Sequence, residues 1–189
     1  MKKLLRVENL QALSSQGNKL TPVVNFELHS GDILFLRGEN GSGKSTILKT
    51  LLKLHPTFTG RFDFTINNQE VEYLPQLGNL NFHMPLSLGD MLGEVKENSP
   101  LLQGLDLDKK WNTASGGERQ KVLFSAALAK KPKILILDEP FNHVDHDSGL
   151  LLEQGLLEFM NSNPESALIL VSHRPFNSSH PQTRYLEIQ

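Results

Sequence analysis

Residues 33–46 read ILFLRGENGSGKST, and this stretch decides the fold. Its first four residues are apolar without alternation, which is typical of a strand covered on both faces. A glycine-rich loop follows, and apolar residues then recur at helical spacing from Ile47 to Leu54. A buried strand, a tight loop and a helix in this order predict one unit of a mainly parallel sheet in an α/β protein.

Similar patterns extend this prediction along the chain. Buried strands are predicted at 134–137 and 167–171, and helices at 115–129 and from 147 to about 160. Shorter strands are predicted at 4–10, 23–28, 61–66, 71–74 and 184–188. Because Asn67 and Asn68 separate two of these strands, residues 61–74 are predicted to form a hairpin.

Residues 77–131 differ from the rest because strand patterns are missing there. Ser87 is predicted to cap a short helix that contains Leu88, Met91 and Leu92, with Asp90 in its first turn. We therefore expect a single domain over 1–189. Its core would comprise 1–76 and 132–189, and a short helical insert would occupy 77–131.

Composition excludes several classes of protein. The chain has 189 residues, with 19 Lys and Arg against 21 Asp and Glu, so its balance of charge argues against a nucleic-acid binder that uses its whole surface. The absence of cysteine excludes disulfides, thiolate zinc sites and a cysteine nucleophile. Arg6 and Glu8 interrupt the apolar start, so no signal peptide is expected. We expect a cytoplasmic protein.

Residues 38–45, GENGSGKS, match the phosphate-binding P-loop, and they lie between a strand and a helix as that loop requires. Glycines permit unusual backbone angles, which let the amide groups surround phosphate oxygens. Lys44 is predicted to bridge the β- and γ-phosphates, Ser45 to bind Mg²⁺ and Thr46 to touch the α-phosphate. The predicted nucleotide-binding residues are Gly38, Glu39, Asn40, Gly41, Ser42, Gly43, Lys44, Ser45 and Thr46.

Two carboxylates, Asp138 and Glu139, directly follow the buried strand at 134–137. Ligands of open α/β sheets lie beyond the carboxyl ends of the strands, where the P-loop also opens. Asp138 is therefore predicted to hold Mg²⁺, and Glu139 to orient and polarise the attacking water. A helix cap or a solvated turn would be the alternative for an isolated Asp-Glu pair.

Further motifs identify a family. Residues 114–121, ASGGERQK, are similar to the signature motif of ATP-binding cassette (ABC) ATPases, and the acid pair follows about twenty residues later. The other motifs of that family stand in its usual order: the P-loop, Gln76 in YLPQ, LDEP at 137–140, NHVD at 142–145, and Ser172-His173. The chain resembles an ABC nucleotide-binding subunit over nearly its whole length.

The resemblance implies an architecture and a set of roles. The fold would be a P-loop NTPase (RecA-like) core with an N-terminal antiparallel β subdomain and a short helical subdomain. Two chains would close head to tail over two ATP molecules, with Asp145 acting across the interface. Gln76 would sense Mg²⁺, and His173 would contact the γ-phosphate. The signature residues facing the partner's ATP would be Ser115, Gly116, Gly117 and Glu118.

The function implied is Mg²⁺-dependent ATP hydrolysis that drives a membrane permease from the cytoplasmic face, in a homodimer or pseudo-dimer. Residues 73–76 followed by residues 82–90 look somewhat like the corresponding run of zinc and manganese importer ATPases. A soluble ABC ATPase that drives assembly or remodelling without a permease is the alternative. A regulatory module that binds ATP and scarcely hydrolyses it is a third, against which the intact Lys44, Asp138, Glu139 and His173 argue.

Some positions depart from the family pattern. Ala114 replaces the usual leucine that leads the signature, and a smaller residue is expected to loosen packing there. Leu13 and Ser14 occupy the region where an aromatic residue normally stacks on adenine, so base recognition is expected to be weak or to use another residue. A transition-metal site at His143, Asp145, His146 and Asp147 is an alternative to an interface loop followed by a helix cap.

Overall fold

The computed structural model describes residues 1–76, 85–93, 99–172, 176 and 180–189. Within these ranges the chain forms eight strands and three α-helices. The strands are β1 (Lys3–Ala12), β2 (Val24–His29), β3 (Ile33–Arg37), β4 (Phe58–Phe64), β5 (Val71–Leu74), β6 (Ile134–Asp138), β7 (Ala167–Val171) and β8 (Thr183–Glu187). The helices are α1 (Lys44–Leu51), α2 (Gly116–Ala129) and α3 (His146–Ser162).

Five strands form a sheet in the order β5-β6-β7-β3-β8, and all of its neighbouring strands are parallel. The three central strands are β6, β7 and β3, and their residues are almost all buried. This burial explains why these strands read as continuous apolar runs. The predicted α/β class with a mainly parallel sheet is confirmed.

A second sheet is antiparallel, with the order β2-β1-β4. This confirms the antiparallel β subdomain near the N-terminus, but the predicted hairpin over 61–74 is wrong. The strand β4 pairs with β1, whereas β5 pairs in parallel with β6. Between them, Asn67 and Glu70 form a reciprocal capping box around a single 3₁₀ turn, which carries the chain from one sheet to the other.

Two predicted helices are shorter than expected. The helix α1 ends at Leu51 because Lys53 adopts a left-handed φ of 58°, and Leu54 is 65% exposed instead of facing the core. Ser87 does cap a helical turn, since its amide donates to Asp90 at 2.7 Å and its hydroxyl accepts from the Asp90 amide at 3.1 Å. That turn is a 3₁₀ turn of three residues, Gly89–Met91.

The two faces of the parallel sheet are covered by different elements. Ile134, Ile136 and Ile169 share one apolar cluster with α1 and β1, whereas Leu135 and Leu137 share the other with α2 and α3. The described part of the insert adds 3₁₀ turns to the second cluster, and Trp111 is fully buried there. Ala114 is also buried, at 6% exposed. The division into a core (1–76 and 132–189) and an insert (77–131) stays a prediction.

Among the described residues, the longest of the helices is α3, with 17 residues. Within those residues, none combines the length and the apolar character that crossing a membrane requires.

Candidate nucleotide-binding site

The loop between β3 and α1 has the shape that its glycines permit. Gly43 has a φ of 96°, and a Cβ added there would lie 2.6 Å from the Thr21 side chain. Gly38 has a φ of 147°, and a Cβ there would lie 2.1 Å from the Ile188 carbonyl oxygen. Both positions combine a backbone angle that favours glycine with contacts too close for any side chain. The tightly wound loop therefore depends on glycine at these two residues.

Lys44, the first residue of α1, is held beneath this loop. The lysine is only 6% exposed, and its ammonium donates hydrogen bonds of 2.8 Å to the carbonyl oxygens of Gly38 and Glu39. These bonds place a positive charge against the concave side of the loop. A buried ammonium and the amino end of a helix together favour an anion at this position.

Asp138 meets the P-loop at the carboxyl end of β6. One of its oxygens, Oδ1, accepts a 2.9 Å hydrogen bond from the Ser45 hydroxyl, and the residue is 4% exposed. The other oxygen, Oδ2, lies 3.5 Å from the hydroxyl of Tyr73, which donates to it. Burial, followed by the charge of Asp138, raises the pKa of Tyr73 to about 12. The tyrosine is therefore a neutral donor at physiological pH.

Glu139 is placed by its backbone. It adopts a left-handed φ of 50°, and its amide donates to the Val171 carbonyl oxygen at 2.9 Å. A left-handed angle is costly for a residue other than glycine, and strained residues of this kind cluster at functional sites. The conformation places Glu139 on the wall of a cavity of about 550 Å³. The lining residues are Asn40, Gly41, Gly43, Lys44, Ser45, Thr46, Gln76, Glu139 and Asn142.

This cavity is predominantly polar, and its chemistry fits a magnesium triphosphate. Lys44 and the amides of the loop suit phosphate oxygens. The Ser45 hydroxyl, the Asp138 carboxylate and the Gln76 amide are oxygen donors, which Mg²⁺ prefers. The two groups that would share the cation, Ser45 and Asp138, are already in contact.

The signature residues form a second cluster. Ser115 caps α2 through a reciprocal box, in which its amide donates to a Glu118 carboxylate oxygen at 2.6 Å and its hydroxyl accepts from the Glu118 amide at 3.2 Å. The Lys109 ammonium pairs with the same carboxylate at 2.9 Å. The bond from Lys109, followed by that from the Ser115 amide, lowers the pKa of Glu118. The Glu118 carboxylate therefore secures the helix start.

The loop at 142–145 packs directly on the signature glycines. A Cβ added to Gly116 would lie 2.2 Å from the His143 carbonyl oxygen, and one added to Gly117 would lie 3.0 Å from Asp145 Oδ2. His143 has a left-handed φ of 63°. Asp145 caps α3 by accepting a 2.9 Å hydrogen bond from the Ser148 amide, and this bond is the main reason why its pKa is lowered.

The alternative metal site at 143–147 gains no support. Among the described residues, no three His, Asp or Glu side chains are grouped closely enough to hold a metal ion. Asp145 instead acts as the cap of α3.

The structure brings most, but not all, of the predicted site residues together. Gln76 and Glu139 line the cavity with most of the P-loop, and Asp138 is bonded to Ser45 beside it. The signature and Asp145 are absent from the lining of that cavity. The remaining P-loop residues, Gly38, Glu39 and Ser42, line a separate pocket together with the C-terminal residues 187–189. His173 lies outside the described residues.

Sequence reasoning missed three contributions. Tyr73 donates to Asp138, Lys109 pairs with Glu118, and Asn142 lines the cavity although only its motif was singled out. The sequence did place Tyr73 on a predicted strand, at 71–74. It could not show that this strand pairs with β6, or that Tyr73 lies opposite Ile136, because strand pairing is a tertiary property.

Fold and site together define a nucleotide-binding protein of the P-loop class. A family model described as "ABC transporter" matches residues 22–142, which is more than half of the chain. The zinc import ATP-binding protein ZnuC of Acinetobacter baylyi is 35% identical over 90% of this chain and 68% of its own length. The molybdate import ATP-binding protein MolC of Haemophilus influenzae is 28% identical over 93% of this chain and 75% of its own length.

Solved structures agree at the level of the fold. An ATP-binding subunit of an ABC transporter superposes with a TM-score of 0.75 at 23% identity, covering 90% of this chain and 79% of the other. CbiO1 of Clostridium perfringens, part of the ABC transporter complex CbiONQ, gives 0.72 at 22% identity, covering 92% and 80%. The chain belongs to the ABC transporter family, and its relatives are the ATP-binding subunits of that family.

Proposed function

We propose that this chain binds and hydrolyses ATP with Mg²⁺ as the nucleotide-binding subunit of an ABC importer. The observation that carries the proposal is the convergence of Lys44, Ser45, Gln76 and Glu139 on one polar cavity, with Asp138 bonded to Ser45. Each side chain suits a different part of a magnesium triphosphate, and a purely structural role would not require all of them at one place.

Binding would begin with the P-loop. The loop amides and the start of α1 would take the phosphates, with Thr46 at the α-phosphate. Lys44 would exchange its bonds to the Gly38 and Glu39 carbonyls for the β- and γ-phosphate oxygens. Ser45, Asp138 and Gln76 would hold Mg²⁺ directly or through water. The ion supplies charge neutralisation on the phosphates when it is bound.

Hydrolysis would use Glu139 as the general base. Its carboxylate would orient a water and take its proton while the water oxygen bonds to the γ-phosphorus. The bond from that phosphorus to the bridging oxygen would break, leaving ADP and inorganic phosphate. The anchored backbone of Glu139 supports this role, because the hydrogen bond from its amide to the Val171 carbonyl oxygen fixes the point from which the side chain extends. His173 is proposed, from its motif alone, to contact the γ-phosphate.

A second chain would complete the site. Ser115 caps a fourteen-residue helix that begins with Gly116 and Gly117, and the positive end of this helix suits the γ-phosphate of another molecule's ATP. They do not line the cavity of their own chain, which favours a head-to-tail homodimer or pseudo-dimer. Glu118 would act indirectly, by holding the Ser115 cap, and Asp145 would lie at the interface.

The coupling to transport rests on the relatives. Two of them are named as zinc and molybdate import proteins, which supports an importer whose permease determines the cargo. We place the subunit on the cytoplasmic face of the membrane, with the helical insert at 77–131 contacting the permease and the core at 1–76 and 132–189 holding the nucleotide. This chain spans about two thirds of the length of ZnuC from Acinetobacter baylyi.

The test is Glu139→Gln, which keeps the size of the side chain and removes the base. Turnover of ATP should fall by about 10²–10⁴-fold, which is the usual contribution of a general base. Nucleotide affinity should be retained, and a dimer should accumulate with ATP and Mg²⁺, visible by light scattering as a doubled mass. Wild-type turnover in Glu139→Gln would exclude Glu139 as the base.

Two further variants separate dimer formation from general effects. Ser115→Arg added to Glu139→Gln should prevent the dimer, because a long cation would occupy the position meant for the γ-phosphate. Glu158→Gln is the matched control, since this glutamate is exposed on α3 and should behave as wild type. A dimer that persists with Ser115→Arg would contradict the assignment of the signature.

A further inference from the structure

We propose that Tyr73 is a positioning residue that orients the Asp138 carboxylate for Mg²⁺, an inference that rests on the proposed function. Nothing in the P-loop or signature motifs requires a hydroxyl at this position. The assignment comes from the contact between the Tyr73 hydroxyl and Asp138 Oδ2, at 3.5 Å.

Strand register explains how this contact arises. The strands β5 and β6 are parallel, and Tyr73 lies opposite Ile136. Asp138 comes two residues later on the same face, a distance of about 7 Å along the strand. The tyrosine ring covers this distance while packing against the cluster that contains Ile136, so that the hydroxyl reaches the end of the neighbouring strand. A shorter hydroxyl side chain could not bridge this separation.

The carboxylate needs such a donor because it is buried. Asp138 is 4% exposed, and a buried charge is costly unless hydrogen bonds compensate it. Ser45 donates to Oδ1 and Tyr73 to Oδ2, so both oxygens are held and the plane of the carboxylate is defined. Groups that orient metal ligands in this way typically contribute 10–100-fold to metal affinity or activity.

Tyr73 would matter more with the cation bound. In the proposed function the Ser45 oxygen would be one of the groups that hold Mg²⁺, which would compete with its present bond to Asp138. Tyr73 touches the other carboxylate oxygen and is free of that competing task. It would therefore keep Asp138 oriented in the loaded state.

The experiment removes only the hydroxyl, with Tyr73→Phe. The chain has one other tyrosine, Tyr185, which is half exposed and stacks on Arg37, so Tyr185→Phe is a control that loses the same atom elsewhere. Mn²⁺ replaces Mg²⁺ as the probe, and its binding is followed by electron paramagnetic resonance in the presence of a non-hydrolysable ATP analogue. Binding of the analogue is measured separately with the metal chelated.

Tyr73→Phe should weaken Mn²⁺ binding about tenfold, while analogue binding without metal stays within twofold of wild type. Tyr185→Phe should match wild type in both. In an Asp138→Asn background, Tyr73→Phe should weaken Mn²⁺ binding less than twofold, because the carboxylate it orients is gone. This loss of effect distinguishes positioning from packing.

Three results would overturn the inference. They are Mn²⁺ binding by Tyr73→Phe within twofold of wild type, an equal loss of analogue binding without metal, and an equal effect of Tyr73→Phe in the Asp138→Asn background. Failure of wild type itself to bind Mn²⁺ with the analogue would be a different outcome. It would refute the proposed function, and the inference would fall with it.

Discussion

Replacing Gly116 with alanine tests whether the signature must lie against the loop at 142–145. The added Cβ would lie 2.2 Å from the His143 carbonyl oxygen, a distance that real contacts do not show. The loop cannot adjust freely, because His143 is left-handed and Asp145 caps α3 two residues later. The start of α2 must therefore move relative to the loop by about 1 Å, and misplacement of that size can cost about 10²-fold in rate.

The expected result is a turnover reduced about 100-fold with nucleotide affinity retained, since Gly116 does not line the cavity. Phosphate release and binding of a fluorescent ATP analogue measure the two quantities. Gly155→Ala is the matched control. Gly155 lies inside α3, and a Cβ added there would make an ordinary 3.4 Å contact with the Leu101 side chain. Alanine in a helix interior is favoured over glycine by roughly 0.5–1 kcal/mol, so this control should be active and no less stable.

Two results for Gly116→Ala would refute the reasoning. One is turnover above half of the wild-type value, which would mean that the contact with His143 has no role in placing the signature. The other is nucleotide affinity that falls as far as turnover does, which would place the effect in the P-loop.

Other consequences can be checked separately. Lys44→Ala should abolish measurable ATP binding, because it removes charge-assisted contacts of about 1.5–3 kcal/mol together with neutralisation of the phosphates. Lys49→Ala is the control, since Lys49 is an exposed residue of α1. ATP affinity of Lys44→Ala within twofold of wild type would exclude the P-loop assignment. GTP should support hydrolysis within about tenfold of ATP, because Leu13 and Ser14 offer adenine no aromatic surface and stacking contributes about 1–3 kcal/mol. A hundredfold preference for ATP in steady-state kinetics would mean that another residue stacks on the base. Asp145→Ala should lower the melting temperature at neutral pH. Because the pKa of Asp145 is lowered in the folded chain, its contribution is present above the ordinary carboxyl pKa and is lost as the pH falls through the lowered value. The difference in melting temperature from wild type should therefore shrink on acidification, and a constant difference down to pH 2 would contradict the role of the charged cap.

The sequence by itself determined the elements whose neighbours are close in the chain. Burial on both faces makes a strand continuously apolar, and the runs at 134–137 and 167–171 coincide with β6 and β7 to within a residue. The loop at 38–45 could also be predicted from the sequence, because its left-handed backbone angles and close contacts require glycine at fixed positions. The helix at 115–129 was marked by its own cap, since Ser115 and Glu118 bond each other locally.

Only the tertiary structure decided which strands pair and which groups meet. The pair Asn67-Asn68 predicted a hairpin by local turn preference, yet β4 pairs with β1 in one sheet and β5 pairs with β6 in the other, so pairing with distant strands overrides the local preference. The same long-range register brings Tyr73 to Asp138, and the same packing sets the His143 carbonyl against Gly116. Local sequence patterns indicate whether a residue is buried. The contacts named above depend on which distant surface buries it, and that is decided only when the sheets and helices pack together.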